Sequence, residues 1–239
     1  MRYHVVMPAA GSGQRFAASQ PKQYASLAQA TVIEHALSAF EADEDCEGVV
    51  IALAEADTQW PAVGARRSRP VLRALGGEQR PHSVFNALRV LEPLVRADHW
   101  VMVHDAARPC FTSEDLAKLK RELVDHESGG LLAIPLTDTL KRAQSAEGPA
   151  RVDTTIDRQG LWRAATPQVF RLGLLLRALE GALAAGRIPT DEAQAMEWAG
   201  HKPRLIAGRA DNIKVTTPDD LSLASAILSL KFPVSVRQS

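Results

Sequence analysis

The stretch that most constrains the fold is a short apolar run followed at once by a loop that contains glycines. The run is residues 5–7, VVM, and residues 7–22 read MPAAGSGQRFAASQPK. A short apolar and β-branched run predicts a buried strand, and open α/β sheets bind their ligands at the carboxyl ends of such strands. Gly11 and Gly13 let the backbone turn tightly and bring its N–H groups close to phosphate oxygens. The loop therefore predicts an anion site at one edge of a sheet.

Two basic residues of this loop, Arg15 and Lys22, add positive charge next to the glycines. The third glycine of a dinucleotide fingerprint is replaced by Phe16, and the residue spacing of a P-loop is absent. A strand-to-helix turn with two exposed basic residues and no ligand stays open as an alternative at this point.

Strand-like and helix-like segments alternate along the rest of the chain. Short apolar runs predict strands at residues 48–54, 71–75, 100–104, 131–136, 162–170, 204–207 and 212–215. Amphipathic periodicity and start signals predict helices at 31–41, 113–126 and 172–185, a helix with Pro81 in its first turn, a short one capped by Thr190, and a last one from Pro218 to about residue 230. This alternation predicts an α/β fold: a mostly parallel, Rossmann-like twisted sheet with helices on both faces.

Four local details are also predicted from composition and position. Ser113 should cap its helix, and Val124 should face the core from that helix. Residues 60–70 are basic and contain proline, which indicates a surface connector. His104 should be a packed histidine satisfied by a backbone partner.

The alternating pattern stops at residues 137–160, which are polar, charged and without helical periodicity. About two dozen such residues exceed an ordinary connector, so the segment is functional, disordered or docked elsewhere. We expect a single domain over residues 1–239, with 137–160 as a protruding arm.

Charge and cysteine content exclude several classes of protein. Lys and Arg total 28, as do Asp and Glu, so no global field attracts nucleic acid or membranes. Cys46 and Cys110 are too few for a disulfide framework and too far apart for a metal knuckle. Without a signal-peptide pattern or an apolar run of membrane-spanning length, the sequence predicts a cytoplasmic protein.

Several motifs together resemble one enzyme family. The phrase PAAGSGQRF followed by PKQY is similar to the signature of nucleotidyltransferases that make nucleoside-diphosphate sugars and alcohols. Later segments resemble the 2-C-methyl-D-erythritol 4-phosphate cytidylyltransferase family in particular: GGEQRPHSV, VHDAARP, DTLKR, TIDRQGLW, ATPQVF, TDEA and GRADNIKVT. The resemblance extends from residue 5 to about residue 228.

The resemblance implies that the chain joins CTP to 2-C-methyl-D-erythritol 4-phosphate and releases pyrophosphate, with Mg2+ bridging the triphosphate oxygens. Arg15 and Lys22 correspond to the family's catalytic pair. The residues implied to bind CTP are Ala9, Ala10, Gly11, Gly13, Arg15, Lys22, Gly77, Glu78, Arg80, Ser83 and Asp105. Those implied to bind the methylerythritol phosphate are Asp105, Arg108, Thr139, Arg158, Thr166, Thr190 and Lys214.

The resemblance also implies a homodimer in which the arm of each subunit reaches over its neighbour and Arg158 contacts the phosphate bound there. Two alternative functions stay open. One is a cytidylyltransferase for another polyol phosphate, such as ribitol 5-phosphate, and the other is a module that binds CTP without turnover.

Overall fold

A computed structural model describes residues 1–11, 16, 20–144 and 150–231. Its strands are β1 (Tyr3–Pro8), β2 (Ser26–Leu27), β3 (Ala30–Thr31), β4 (Cys46–Leu53), β5 (Val71–Leu75), β6 (Trp100–Val103), β7 (Gly130–Pro135), β8 (Leu140–Ala143), β9 (Val152–Ile156), β10 (Trp162–Arg171) and β11 (Arg204–Ala207). Its α-helices are α1 (Val32–Glu41), α2 (Trp60–Gly64), α3 (Arg80–Leu91), α4 (Ser113–Leu123), α5 (Leu172–Ala184), α6 (Glu192–Trp198) and α7 (Pro218–Lys231). A 3-10 turn covers Lys22–Tyr24.

Seven of the strands in the described part of the chain form one sheet, in the order β11-β7-β10-β6-β1-β4-β5. Strands β6, β1, β4 and β5 run parallel to one another, as do β11 and β7. Strand β10 is antiparallel to both of its neighbours. The sheet is therefore mixed and mostly parallel, which confirms the fold class predicted from the alternating pattern.

Helices cover both faces of this sheet because successive side chains of the buried strands point to opposite faces. Val5 and Met7 of β1 belong to the core cluster that includes residues of α1 and α4, while Val6 belongs to the cluster that includes residues of α3 and α5. A third cluster packs α7 against the β2–β3 hairpin through Ala224 and Leu27. The central strands are thus buried on both sides.

Local signals explain several element boundaries. Helix α1 begins with a capping box, in which Thr31 and Glu34 satisfy each other's backbone N–H groups. Helix α3 begins one residue before Pro81, as expected for a proline in a first turn. Residues 140–156 form a two-stranded antiparallel hairpin, β8–β9, apart from the main sheet, with residues 145–149 outside the described ranges.

Some local predictions were wrong. Residues 60–70 are not only a surface connector, because α2 lies there and buries the large apolar side chain of Trp60. Residues 212–215 form no strand; instead Val215 is buried and donates its N–H to Ala107 O at 2.8 Å. Burial in this segment comes from a loop packed against the sheet edge, and apolar composition alone does not distinguish the two cases.

The N-caps of two helices lie one residue away from the predicted positions. Thr112, not Ser113, is the N-cap of α4, since its side chain accepts from the Asp115 N–H. Asp191, not Thr190, caps α6 by accepting from the Gln194 N–H. Val124 follows α4 and is 42% exposed, so it does not face the core. No helix among the described residues combines the length and apolar character needed to cross a bilayer.

Candidate active site

A cleft of about 350 Å³ opens at the carboxyl ends of β1, β5 and β6. This is the edge at which parallel α/β sheets bind ligands. Its walls come from the loop after β1, the 3-10 turn, the start of α3, the loop after β6 and the loop before α7: Pro8, Ala9, Ala10, Gly11, Lys22, Gln23, Gly77, Glu78, Gln79, Arg80, Ser83, Asp105, Ala106, Ala107 and Lys214.

Close backbone packing shapes one wall of the cleft. A Cβ at Gly76 would lie 2.1 Å from the Cβ of Ala10, and one at Gly77 would lie 2.3 Å from the Cβ of His82. Gly77 N–H donates to the Ser83 hydroxyl at 3.0 Å, and Ser83 is buried. Small residues therefore let the loop after β5 approach the loop after β1, and Ser83 holds the glycine backbone in place.

The loop after β1 is held by the buried amide of Gln23. Its Nε2 donates to Ala9 O at 2.7 Å, and Ala9 N–H donates to Ala52 O at 2.8 Å. Ala9 therefore has partners for both backbone groups within the protein, which hold the start of the loop after β1 in position.

An ion-pair network crosses the base of the cleft. Arg80 donates Nη1 and Nη2 to the two carboxylate oxygens of Glu192 at 2.7 and 3.1 Å, and Nε to Asp105 Oδ1 at 2.9 Å. The second oxygen of Asp105 lies 2.9 Å from Lys214 Nζ and 3.4 Å from Arg108 Nε. Three cations thus surround two buried carboxylates, which leaves the group with net positive charge facing the cleft.

Electrostatics keep Asp105 ionised. Burial would raise its pKa, but Arg80, Lys214 and Arg108 outweigh burial and hold the pKa of this carboxyl well below its usual range. For Glu192, which is 1% exposed, burial raises the pKa, and the bidentate Arg80 opposes that rise. Loss of either carboxylate would leave three cations around a single carboxylate.

His104 lies directly beneath this network. Burial lowers the pKa of His104 to about 3, so the ring is neutral near pH 7. The ring lies 3.3 Å from Arg108 O through Nε2 and 3.0 Å from the Thr166 hydroxyl through Nδ1. That hydroxyl also accepts from the Asp105 N–H at 3.1 Å. These contacts fit an Nε2–H tautomer that donates to Arg108 O and accepts from Thr166, and they fix the backbone of Asp105.

The structure brings together many of the residues that the resemblance implied. Those that line the cleft are Ala9, Ala10, Gly11, Lys22, Gly77, Glu78, Arg80, Ser83, Asp105 and Lys214. Arg108 contacts Asp105 from beneath and donates to Asn212 O at 2.8 Å. Thr166 is buried behind them.

Besides Arg108 and Thr166, three further implied residues do not line the cleft within this chain. Thr139 and Arg158 are exposed on the segment that carries the β8–β9 hairpin, and Thr190 is exposed before α6. Gly13 and Arg15 lie outside the described residues.

Sequence reasoning missed three polar residues that build the site: Gln23, Glu192 and Asn212. Each is buried, and Asn212 Nδ2 donates to Thr166 O at 2.8 Å. Each lies within a motif already singled out: PKQY, TDEA and GRADNIKVT. The motifs could have pointed to these residues, but their burial and their hydrogen-bond partners became visible only in the tertiary structure.

A mostly parallel sheet with a close-packed glycine wall and a basic cleft at the carboxyl ends of its strands fits a nucleotidyltransferase. The family model for 2-C-methyl-D-erythritol 4-phosphate cytidylyltransferase matches residues 3–230, so the chain belongs to this family.

Relatives and solved structures agree with this membership. The chain is 53% identical over 220 residues to a protein of that name from Pseudomonas aeruginosa, covering 92% of this chain and 93% of the relative. A crystal structure of 4-diphosphocytidyl-2C-methyl-D-erythritol synthase is similar with a TM-score of 0.82 at 38% identity, over 95% of this chain and 98% of that one. The cytidylyltransferase of Francisella tularensis is similar with a TM-score of 0.78 at 32% identity, over 95% of this chain and all of that one (100%).

Proposed function

We propose that this chain transfers the cytidylyl group of CTP to 2-C-methyl-D-erythritol 4-phosphate, in the synthesis of isoprenoid precursors. An oxygen of the alcohol phosphate attacks the α-phosphorus of CTP, and the bond from that phosphorus to the β-phosphate bridging oxygen breaks. The products are 4-(cytidine 5'-diphospho)-2-C-methyl-D-erythritol and pyrophosphate. The observation that carries this proposal is the cleft itself, in which a close-packed glycine wall faces a cluster with net positive charge.

This reaction needs no general base, because the attacking phosphate is already an anion. The protein has to hold two polyanions in line and to offset charge that grows on the α-phosphoryl and pyrophosphate oxygens. Lys22 lines the cleft next to the loop after β1, which supports assigning its ammonium to this role. Arg15, which belongs to the same loop, is the second cation that we assign to it.

Cytosine would be read by backbone groups where the two loops meet. Ala9 has internal partners for its N–H and its carbonyl. We therefore expect Ala9 to shape the base pocket, and Ala10 and the Gly77 carbonyl to contact the base. Small side chains at this point leave room for that approach.

The donor set of the cleft fits Mg2+ that arrives with the nucleotide. Asp105 and Glu78 are carboxylates at the cleft, but both oxygens of Asp105 already accept from cations. Mg2+ retains water and binds through few carboxylates plus substrate phosphates, which suits coordination by the triphosphate. When bound, it would offset charge on the leaving pyrophosphate.

The methylerythritol phosphate would lie beside the ion-pair network. Lys214 is the most accessible cation of the network, at 40% exposure, so we expect its ammonium to meet the incoming phosphate. Asp105 can accept from a substrate hydroxyl as a cation turns from it toward phosphate. Arg108 and Thr166 hold Asp105 in position from beneath.

We further propose that the active enzyme is a homodimer whose arms complete the neighbouring sites. In one chain, Thr139 and Arg158 are exposed and lie on the hairpin segment rather than in the cleft. Strand β9 is largely exposed, with Val152 at 59%, although it is β-branched and apolar. A two-fold dimer that exchanges these arms would cover this surface and bring Arg158 to the partner's cleft.

The catalytic proposal is tested by pyrophosphate release with CTP and a panel of polyol phosphates that includes ribitol 5-phosphate. We expect turnover with 2-C-methyl-D-erythritol 4-phosphate far above the others. Lys214→Met should raise KM for the alcohol phosphate, and Lys202→Met, which removes an exposed lysine elsewhere, should not. Preference for ribitol 5-phosphate would replace the substrate assignment, and CTP binding without turnover would indicate a binding module.

The dimer proposal is tested by mixing two inactive variants, Arg15→Ala and Arg158→Ala, under conditions of subunit exchange. A heterodimer with shared sites has one site with both defects and one with neither, so activity should partly return. No recovery despite demonstrated exchange, or an active monomer, would contradict the shared site. The cytoplasmic location stays a prediction, with which the two buried free cysteines agree.

A further inference from the structure

Two histidines and a glutamate meet at the edge of the sheet opposite the cleft. His4 Nδ1 lies 2.9 Å from His99 Nε2. Glu47 Oε2 lies 3.9 Å from the first of these nitrogens and 3.7 Å from the second. Among the described residues, this is the group of histidine, cysteine and carboxylate side chains whose spacing fits a metal ion.

The fold brings these side chains from three neighbouring strands. His4 lies in β1, Glu47 in β4 on one side, and His99 directly before β6 on the other. The β1–β4 register pairs Tyr3 with Cys46 and His4 with Gly48, so Glu47 is the extra residue of a bulge. A bulge redirects a side chain, and here it aims the carboxylate at the histidine pair.

Backbone hydrogen bonds and a glycine shape the surroundings of this cluster. His99 N–H donates to Arg96 O at 3.0 Å, and His99 O accepts from the Leu172 N–H at 2.8 Å. Gly48 leaves space for the ring of His4, because a Cβ at that position would come within 3.3 Å of the ring. Two of the three side chains therefore project from strands, and the third comes from a loop residue whose backbone N–H and carbonyl are both hydrogen-bonded.

The distances fit a first-row transition metal. The circle through three atoms separated by 2.9, 3.7 and 3.9 Å has a radius of about 2.1 Å, which matches Zn–N and Zn–O bond lengths of about 2.0–2.2 Å. An ion at that centre would reach all three atoms without a change in the backbone. One proton now lies between the two rings, and its transfer to an outer ring nitrogen by tautomerisation opens both facing nitrogens.

We propose that His4, Glu47 and His99 form a binding site for one divalent transition-metal ion of the zinc class. Imidazole nitrogens with one carboxylate suit Zn2+ and its neighbours rather than Mg2+, which prefers oxygen ligands. Arg2 Nη1 donates to the other carboxylate oxygen, Oε1, at 3.0 Å and so orients Glu47. Water completes the coordination, since the side chains of His4 and His99 are 15% and 14% exposed.

The ion joins the amino ends of β6, β1 and β4, and the carboxyl ends of β6 and β1 carry part of the cleft. At about 3.3 Å per residue, the five residues from His4 to Ala9 separate the two sites by roughly 16 Å. The ion is therefore a structural clip that binds the folded chain and does not contact CTP. Binding to the folded state alone raises the unfolding temperature.

The test uses tag-free, full-length protein freed of metal by a chelator, then titrated with Zn2+ alone. We expect one ion per chain and a rise in Tm of several degrees at saturation. Glu47→Gln and His99→Gln should each weaken Zn2+ binding at least tenfold and remove the Tm rise. Glu44→Gln, at an exposed neighbouring position, and His201→Gln, at a distant histidine, should bind as the wild type does.

A second readout separates this site from the catalytic cleft. Saturating CTP with Mg2+ should leave Zn2+ stoichiometry unchanged, and Co2+ in place of Zn2+ should give visible absorption that Glu47→Gln alters. If His99→Gln does not fold, Glu47→Gln still decides the outcome, because glutamine has nearly the same size and shape as glutamate. No retained Zn2+, or equal affinity in wild type and both site variants, would overturn the proposal.

Discussion

Glu192→Gln tests whether the buried ion-pair network, rather than packing alone, stabilises the fold around the cleft. The substitution keeps the shape of a side chain that is 1% exposed and removes its charge. One of the two Arg80 contacts, at 2.7 and 3.1 Å, would then meet an amide N–H instead of an acceptor. Arg80 would keep Asp105, at 2.9 Å, as its remaining anion.

The expected cost follows from these contacts. Breaking a buried pair by removing one partner costs about 3–5 kcal/mol, and the retained Asp105 contact places this variant at the lower end, about 3 kcal/mol. For a chain of this size, that loss lowers Tm by roughly 6–12 °C. It lowers the urea midpoint by about 1 M if the m-value is about 3 kcal/mol/M. The cleft also gains one positive charge, so KM for CTP should not rise.

The assay is urea unfolding followed by circular dichroism, with CTP kinetics measured in parallel. Glu197→Gln is the matched control, because it makes the same change on an exposed position of α6. We expect the control to stay within about 0.5 kcal/mol of wild type. A Glu192→Gln protein as stable as the control would refute the role of the pair. Lower stability with a much higher KM for CTP would refute the charge argument.

Four further predictions concern the cleft and its surroundings. Lys22→Ala should lower turnover about a hundredfold, or about 3 kcal/mol, without a change in Tm, since its charge acts on the transition state; turnover near that of wild type would remove the assignment. CTP should be used far better than UTP, by about 1–3 kcal/mol in kcat/KM, because uracil presents a carbonyl where cytosine donates; equal use would contradict backbone reading of the base. Gly76→Ala should lower the free energy of unfolding by about 1–3 kcal/mol, because its Cβ would lie 2.1 Å from that of Ala10. Gly181→Ala, in open space on α5, should cause no such loss, and unfolding curves of both variants decide this. Burial would raise the pKa of Asp105, but three cations lower it, so the stability that this carboxylate contributes is present above about pH 4 and is lost as pH falls further. Unfolding at pH 7 and pH 3 should therefore show a smaller loss of stability in acid for Asp105→Asn than for wild type, and parallel pH profiles would contradict this.

Much of the fold followed from periodicity along the chain. Val71–Leu75 and Arg204–Ala207 were predicted with their final bounds, and α1 and α5 to within a residue. The signal that predicts each of these segments lies within the segment itself: a short apolar run bounded by turn-forming residues, or apolar residues that recur along one helix face. Errors fell where burial depends on distant partners, as for Trp60 in a supposed surface connector and for the segment 212–215.

The same difference between local sequence patterns and contacts with distant residues applies to the site. The sequence predicted a ligand site at the loop after β1 and at the motifs that contain Gly77 and Asp105, and Ala9, Ala10, Gly11, Gly77 and Asp105 line one cleft. Which charges pair was not visible. Arg80 and Glu192 are 112 residues apart, and the composition offers 28 basic and 28 acidic side chains from which to choose.

The sequence by itself determined the order of the main strands and helices, the edge of the sheet at which the candidate cleft lies, and the family of enzymes to which the motifs belong. Only the tertiary structure decided that Arg80 joins Asp105 to Glu192, that Ser83 supports Gly77, and that two histidines and a glutamate meet at the far edge. The physical reason is the separation along the chain over which each kind of interaction acts. Periodicity and capping act over a few neighbouring residues, whereas charge pairing and side-chain convergence depend on which strands become neighbours in the sheet.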